Sequence, residues 1–171
     1  MNQKDTNIKG ANDKIVLGLI GAGGRGTTMI LDFYKNCQGV EVKYICDVDA
    51  SRGGHAISEL DKMQGFKPQR VEDMRRVYED KDVDAVVIAN PEHWHALSHI
   101  WACQAGKHVY VEKVISMSIH EGEKMIEAAN KYNRIVQCGT QNRSGDYAFS
   151  ARDYIKSGKL GKIVNVKAYC I

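Results

Sequence analysis

No apolar run in the 171 residues approaches the roughly 20 needed to cross a bilayer, and the longest, residues 15–24, reaches about half of that. The first thirteen residues, MNQKDTNIKGAND, lack the apolar stretch of a secretory signal and read as a polar lead-in. Cysteines at metal or redox spacing are missing too: Cys37, Cys46, Cys103, Cys138 and Cys170 are odd in number and form no C-x-x-C. They read as small apolar residues in a reducing compartment, which points to the cytoplasm. There is little charge of one sign, since 24 Lys and Arg face 21 Asp and Glu scattered along the chain. Neither nucleic acid nor a membrane is therefore an expected partner. No Ser-His-Asp order, P-loop, EF-hand or H-E-x-x-H occurs, so nothing supports a hydrolase built on a nucleophile or a metal.

What is present is a chain 43% hydrophobic and 26% charged, long enough for one well-buried domain. Residues 15–20 form a near-continuous apolar run closed by glycines, as suits a strand covered on both faces. Residues 27–36 carry Met29, Ile30, Phe33 and Tyr34 at helical spacing, and 40–46 alternate as a second strand, which completes a βαβ unit. Helices are then expected over 50–63, 72–79, 94–105 and 118–132, with strands over 67–71, 84–89, 108–111 and 135–138. This alternation predicts an α/β fold over 14–145, a Rossmann doubly wound parallel sheet with helices on both faces. A helix over 148–157, ended by Gly158, and a one-sided strand over 162–171 follow. Residues 146–171 are thus expected to be a linking helix and the first strand of an incomplete α+β domain.

Four places carry candidate chemistry. Gly21-Ala22-Gly23-Gly24-Arg25-Gly26 stands between the first strand and helix as a G-x-G-x-x-G, where backbone N–H groups and the helix dipole can hold a pyrophosphate; a turn needed only for packing is the alternative. Asp47 ends the second strand 21 residues beyond Gly26, placed to accept from ribose hydroxyls and to repel a 2′-phosphate, which favours NAD over NADP. Arg52 keeps NADP open, though a solvated helix residue is its plainer role, and Asp49 reads as a helix N-cap. Asn90-Pro91-Glu92-His93-Trp94-His95 follows a buried strand at the carboxyl edge of the sheet, where such sheets bind ligands. His93, His95 and His99 fall on different sides of a helix start, which speaks against a metal. Trp94, Leu97 and Trp101 read as a core stripe. Glu112-Lys113 ends another strand, and a lysine there could hold a substrate hydroxyl and help move its proton; a solvated surface pair is the competing reading. The polar run 139–143, with Asn142, follows the sixth strand and faces the same edge unless it merely starts a helix.

In this order and at these separations GAGGRG, CDVD, NPEHWHAL, AGKHVYVEK and GTQNRS resemble the N-terminal half of the Gfo/Idh/MocA family, which includes glucose–fructose oxidoreductase and inositol 2-dehydrogenase. The resemblance implies that Gly21, Gly23, Gly24 and Arg25 form the pyrophosphate turn and that Asp47 binds the adenosine ribose. Asn90, Pro91 and His95 fall on the family's cofactor-contacting T-P-N-x-x-H segment, with Asn90 in place of threonine and Glu92 in place of asparagine. Glu112 and Lys113 match its E-K-P, whose lysine binds and polarises the substrate beside the nicotinamide, and Asn142 lies in a further cofactor-side segment. The proline of E-K-P, commonly on a cis bond, is Val114 here; a non-proline cis bond costs about 2.5 to 4 kcal/mol, so Lys113–Val114 is expected to be trans. Family members carry a second domain that closes the substrate pocket and forms a homo-oligomer interface.

The expected function is therefore the cofactor-binding portion of an NAD-dependent oxidoreductase, moving a hydride between nicotinamide and a hydroxyl carbon of a sugar or polyol. An NAD-dependent glycosidase of the same family and a dinucleotide-binding module without catalysis are the alternatives.

Overall fold

The structure is a computed structural model that describes residues 14–169. The lead-in expected over 1–13 and the last two residues lie outside the described residues. The chain divides into two compact units, one running through Gly139 and the other starting at Thr140.

In the first unit, β1 (Ile15–Ile20), β2 (Val40–Cys46), β3 (Gln69–Val71), β4 (Ala85–Ile88), β5 (His108–Glu112) and β6 (Val136–Gly139) form one sheet of order β3-β2-β1-β4-β5-β6. Every neighbouring pair is parallel. Between the strands run α1 (Gly24–Asn36), α2 (Gly54–Gln64), α3 (Met74–Glu79), α4 (His95–Gln104) and α5 (Ile119–Lys131). This is the doubly wound Rossmann arrangement expected from the alternation of elements.

The two-sided burial of the strands explains their continuous apolar runs. Leu17, Leu19, Val42, Ile45 and Val87 pack with Ile30 of α1 and Ile57 and Leu60 of α2. Their strand neighbours Ile20, Cys46, Val86 and Ile88 point the other way, onto Val77 and Tyr78 of α3, Ala102 and Cys103 of α4 and Met125 of α5. Each fully buried side chain of this size contributes about 1.5 to 3 kcal/mol.

Several local expectations shift. Helix α1 begins at Gly24 rather than residue 27, because the glycines themselves enter the helix. Asp49 does not cap α2: Gly53, in the left-handed region, holds that place, and Asp49 accepts instead from Ser51 N and Oγ in the preceding turn. Of the stripe of Trp94, Leu97 and Trp101, only Trp101 packs against the core. Trp94 and Leu97 are exposed, and α4 buries His95, Ala96, Ser98, His99, Ala102 and Cys103, because a short 3-10 turn over Glu92–Trp94 resets the helix phase.

In the second unit, a 3-10 turn (Gln141–Ser144) precedes α6 (Asp146–Lys156), which buries no residue. Gly158 takes a positive φ just past the helix, as its position implied. The strand expected over 162–171 is absent from its described part: residues 162–169 are exposed and pair with no strand. Alternating pattern alone does not make a strand, since the hydrogen bonds come from a neighbour. No described helix is long and apolar enough to cross a membrane.

Candidate functional site

The carboxyl ends of β1, β2, β4 and β5 meet where the strand order turns back on itself at β1. Gly21, with φ +91°, turns the chain out of β1 so closely against β4 that a Cβ would collide with the Asn90 backbone. A Cβ on Gly26 would collide in turn with the Gly21 carbonyl. Gly23 caps α1 without any side-chain hydrogen bond, and no acidic residue lies in the first turn. The start of this 13-residue helix thus has no side-chain cap from Gly23, and the positive end of its dipole suits an anion there.

Asp47 extends from the end of β2 to brace this turn. Its Oδ2 accepts from Ala22 N (2.7 Å) and its Oδ1 from Asp49 N (2.9 Å), and the residue is 9% exposed. Each carboxylate oxygen keeps acceptor capacity for a ribose hydroxyl. Burial, with Asp47 adjacent, pushes the Cys46 thiol up to about 12. Arg52 pairs with Asp49 at 3.2 Å and approaches Gly23, where a Cβ would lie 3.2 Å from its Nη1.

At the end of β4, Asn90 donates from Nδ2 to Ser98 Oγ (2.9 Å), while its buried Oδ1 has no partner. Pro91 and His93 are exposed. His95 is 1% exposed, with Nδ1 2.6 Å from Val114 O and Nε2 2.8 Å from Asn90 O. Its ring therefore ties the loop after β4 to the loop after β5. Burial holds the His99 imidazole below its ordinary pKa, and its Nε2 lies 3.2 Å from Met125 O. Among the described residues no three His, Cys, Asp or Glu cluster as metal ligands.

Glu112 ends β5 and is 5% exposed. Arg25 donates to its Oε1 from Nε (2.9 Å) and Nη2 (2.6 Å), and Lys113 N donates to its Oε2 (3.1 Å). The Lys113 side chain is exposed beside it. The Lys113–Val114 bond is cis, not trans as expected. The expectation rested on the local preference of a non-proline bond, whereas here both flanking residues are tied to side chains, Lys113 N to Glu112 and Val114 O to His95. Burial and the neighbouring Glu112 raise the pKa of the Tyr110 hydroxyl and of the Cys138 thiol.

Gly21, Gly23, Gly24, Arg25, Asp47, Asn90, Pro91, His95, Glu112 and Lys113 thus share one edge of the first unit. Asn142 belongs to the second unit, exposed on its 3-10 turn. Sequence reasoning missed Ser98, which takes the Asn90 amide, and Gly139, where a Cβ would press to 3.1 Å from Glu112 Oε1. The helical offset of Ser98 from His95 and the glycine ending β6 were the available signals. The donor set fits a dinucleotide: an uncapped helix start, a Gly23 whose missing side chain leaves the turn open, a buried carboxylate at β2 and an orphaned buried acceptor at Asn90.

Residues 15–140 match a family described as "Oxidoreductase family, NAD-binding Rossmann fold". The chain is 30% identical over 146 residues to inositol 2-dehydrogenase of Salmonella typhimurium, covering 85% of this chain and 42% of that protein. It is 26% identical over 160 residues to a glycosyl hydrolase family 109 protein of Shewanella pealeana, covering 91% of this chain and 35% of that one. Scyllo-inositol dehydrogenase from Lactobacillus casei, solved with bound cofactor NAD(H) and scyllo-inositol, superposes with a TM-score of 0.75 at 26% identity, over 88% of this chain and 43% of the other. The chain therefore spans less than half the length of these relatives.

Proposed function

Because the chain belongs to the Gfo/Idh/MocA oxidoreductase family and carries its NAD-binding Rossmann domain, we propose that it is the cofactor-binding part of an NAD-dependent oxidoreductase acting on a hydroxyl carbon of a sugar or polyol. The observation that carries this reading is the convergence, at one sheet edge, of the uncapped α1 start, the Asp47 carboxylate and the Glu112-Lys113 strand end. Gly21, Gly23, Gly24 and Arg25 form the pyrophosphate turn, and Asp47 accepts from the adenosine ribose, which favours NAD over NADP. Asn90 offers its unpartnered Oδ1, Pro91 lies beside it, and His95 fixes the loop that carries both. Asn142 rests on the sequence reading of the polar run that follows β6. Bound NAD supplies the hydride acceptor. Lys113 holds the substrate hydroxyl and helps move its proton.

The polyol class is supported by inositol 2-dehydrogenase and scyllo-inositol dehydrogenase among the relatives. Free thiols at Cys37, Cys46, Cys103 and Cys138 agree with a cytoplasmic location, and homo-oligomeric assembly rests on the resemblance. The test is to titrate the protein with NADH, then to follow NADH formation from NAD with inositols and other polyols. Saturable NADH binding is expected, and polyol-dependent reduction would extend the reading to the substrate class; absence of NADH binding overturns the reading. The glycosyl hydrolase family 109 relatives favour a second reading, an NAD-dependent glycosidase. Glycoside cleavage with no net NADH would establish it instead.

A further inference from the structure

Resting on the dinucleotide reading, we infer that Arg25 is a positioning residue that acts through Glu112 to hold the Lys113 segment in register with the glycine turn. Arg25 is the second residue of α1, directly after that turn, and Glu112 is the last of β5, 87 residues further along the chain. In the sheet β4 lies between β1 and β5, so the ion pair reaches across the end of β4, where Asn90 begins its loop.

The carboxylate is divided between its partners. Two Arg25 donors converge on Oε1, and Oε2 accepts from Lys113 N. One oxygen is tied to the glycine turn and the other to the main chain of the proposed catalytic lysine. Gly139 leaves the carboxylate its room: a Cβ there would lie 3.1 Å from Glu112 Oε1 and 3.0 Å from Tyr110 Oη. An exposed ion pair would mean little, but only 6% of the Glu112 side chain reaches solvent. A carboxylate so buried depends on its partner, and the fork of a guanidinium satisfies it in a way a lysine ammonium cannot. The glycine turn and the substrate end of the site are thus coupled through a single carboxylate.

The test compares NADH with AMP, which lacks the nicotinamide half, on the full chain and on Arg25→Gln, Glu112→Gln, the double variant, Arg25→Lys and Glu112→Asp. Glu112→Gln, which leaves the pyrophosphate turn itself intact, is expected to weaken NADH binding about tenfold while AMP binding holds, and Arg25→Gln, which also alters that turn, to weaken NADH binding at least as much. The double variant should be no weaker than the weaker single, because both changes break one link. Arg25→Lys should fall between the parent and Arg25→Gln, and the NADH-to-AMP ratio of Glu112→Asp decides the matter if Glu112→Gln fails to fold. Unchanged NADH affinity in Arg25→Gln overturns the inference. So do equal losses for NADH and AMP in Glu112→Gln, which mean a general fold effect, and multiplying losses in the double variant, which mean that Arg25 and Glu112 act separately. If the unaltered chain binds neither NADH nor AMP, the dinucleotide reading itself falls, and this inference with it.

Discussion

Asp47 carries two loads, since one carboxylate both braces the Ala22 and Asp49 N–H groups and serves as the proposed ribose acceptor. Asp47→Ala is expected to weaken NAD binding by about 1 to 3 kcal/mol through lost charge-assisted bonds, measured by calorimetric titration. Unchanged affinity would mean that the ribose lies elsewhere. The thiols give a second residue-level test. Cys37 is exposed, whereas burial pushes Cys46 up to about 12 and Cys103 up to about 11. Iodoacetamide at pH 8 should therefore label Cys37 in the folded chain and reach Cys46 and Cys103 only after denaturation, with mass mapping as the readout. Labelling of Cys46 at the Cys37 rate would contradict the packing behind β2.

The ties between loops matter most among the elements. His95→Ala leaves the carbonyls of Asn90 and Val114 without their shared partner, and a loss of about 1 to 3 kcal/mol in unfolding free energy is expected from urea melts. A polar knot at the opposite end of the sheet behaves differently. Asp80 accepts from Tyr44 Oη at 2.8 Å and pairs with Lys43 at 2.7 Å, while its carbonyl takes Lys107 Nζ. Burial alone would raise the Asp80 pKa, but Lys43, Asp82 N and Tyr44 together bring it from 3.8 to about 2. A depressed folded-state pKa contributes stability above the unfolded value, and that contribution is lost as pH falls through the folded one. Stability should therefore drop between pH 3.8 and about 2, and Asp80→Asn should flatten that drop in melts across the range. An equally steep decline in the variant would shift the cause to other carboxylates.

The type and order of the six sheet strands and the helices between them were legible in the sequence because apolar period and glycine placement are local signals. Gly21 and Gly26 were legible for the same reason: one strand-to-helix turn sets what they must do. The Arg25–Glu112 pair, the His95 tie and the exposed Trp94 were not, since each depends on what a distant segment or a short 3-10 turn puts beside the residue. Strand 162–171 failed for the converse reason, a local pattern without a neighbour to pair with.

On the scale of the whole molecule, burial is concentrated in the unit that ends at Gly139, while α6 buries nothing and residues 150–169 are all exposed. Brief trypsin digestion should cut first at Arg152, Lys156, Lys159, Lys162 or Lys167 and leave a product holding all six strands, seen by mass spectrometry. Early cuts inside α1 or α4 would contradict this distribution of stability.

The place of β1 bears on how the chain is made. It is translated before the other five strands of its sheet, yet it ends in the interior of that sheet, between β2 and β4. Its β2 flank is translated soon afterwards, but residues 85–88 follow only once α2, β3 and α3 have been synthesised. Throughout that interval one edge of an apolar strand stays without its hydrogen-bonding neighbour, the state in which nascent chains join one another. Chaperone occupancy during translation should thus be greatest before Ala85 emerges and decline once β4 docks.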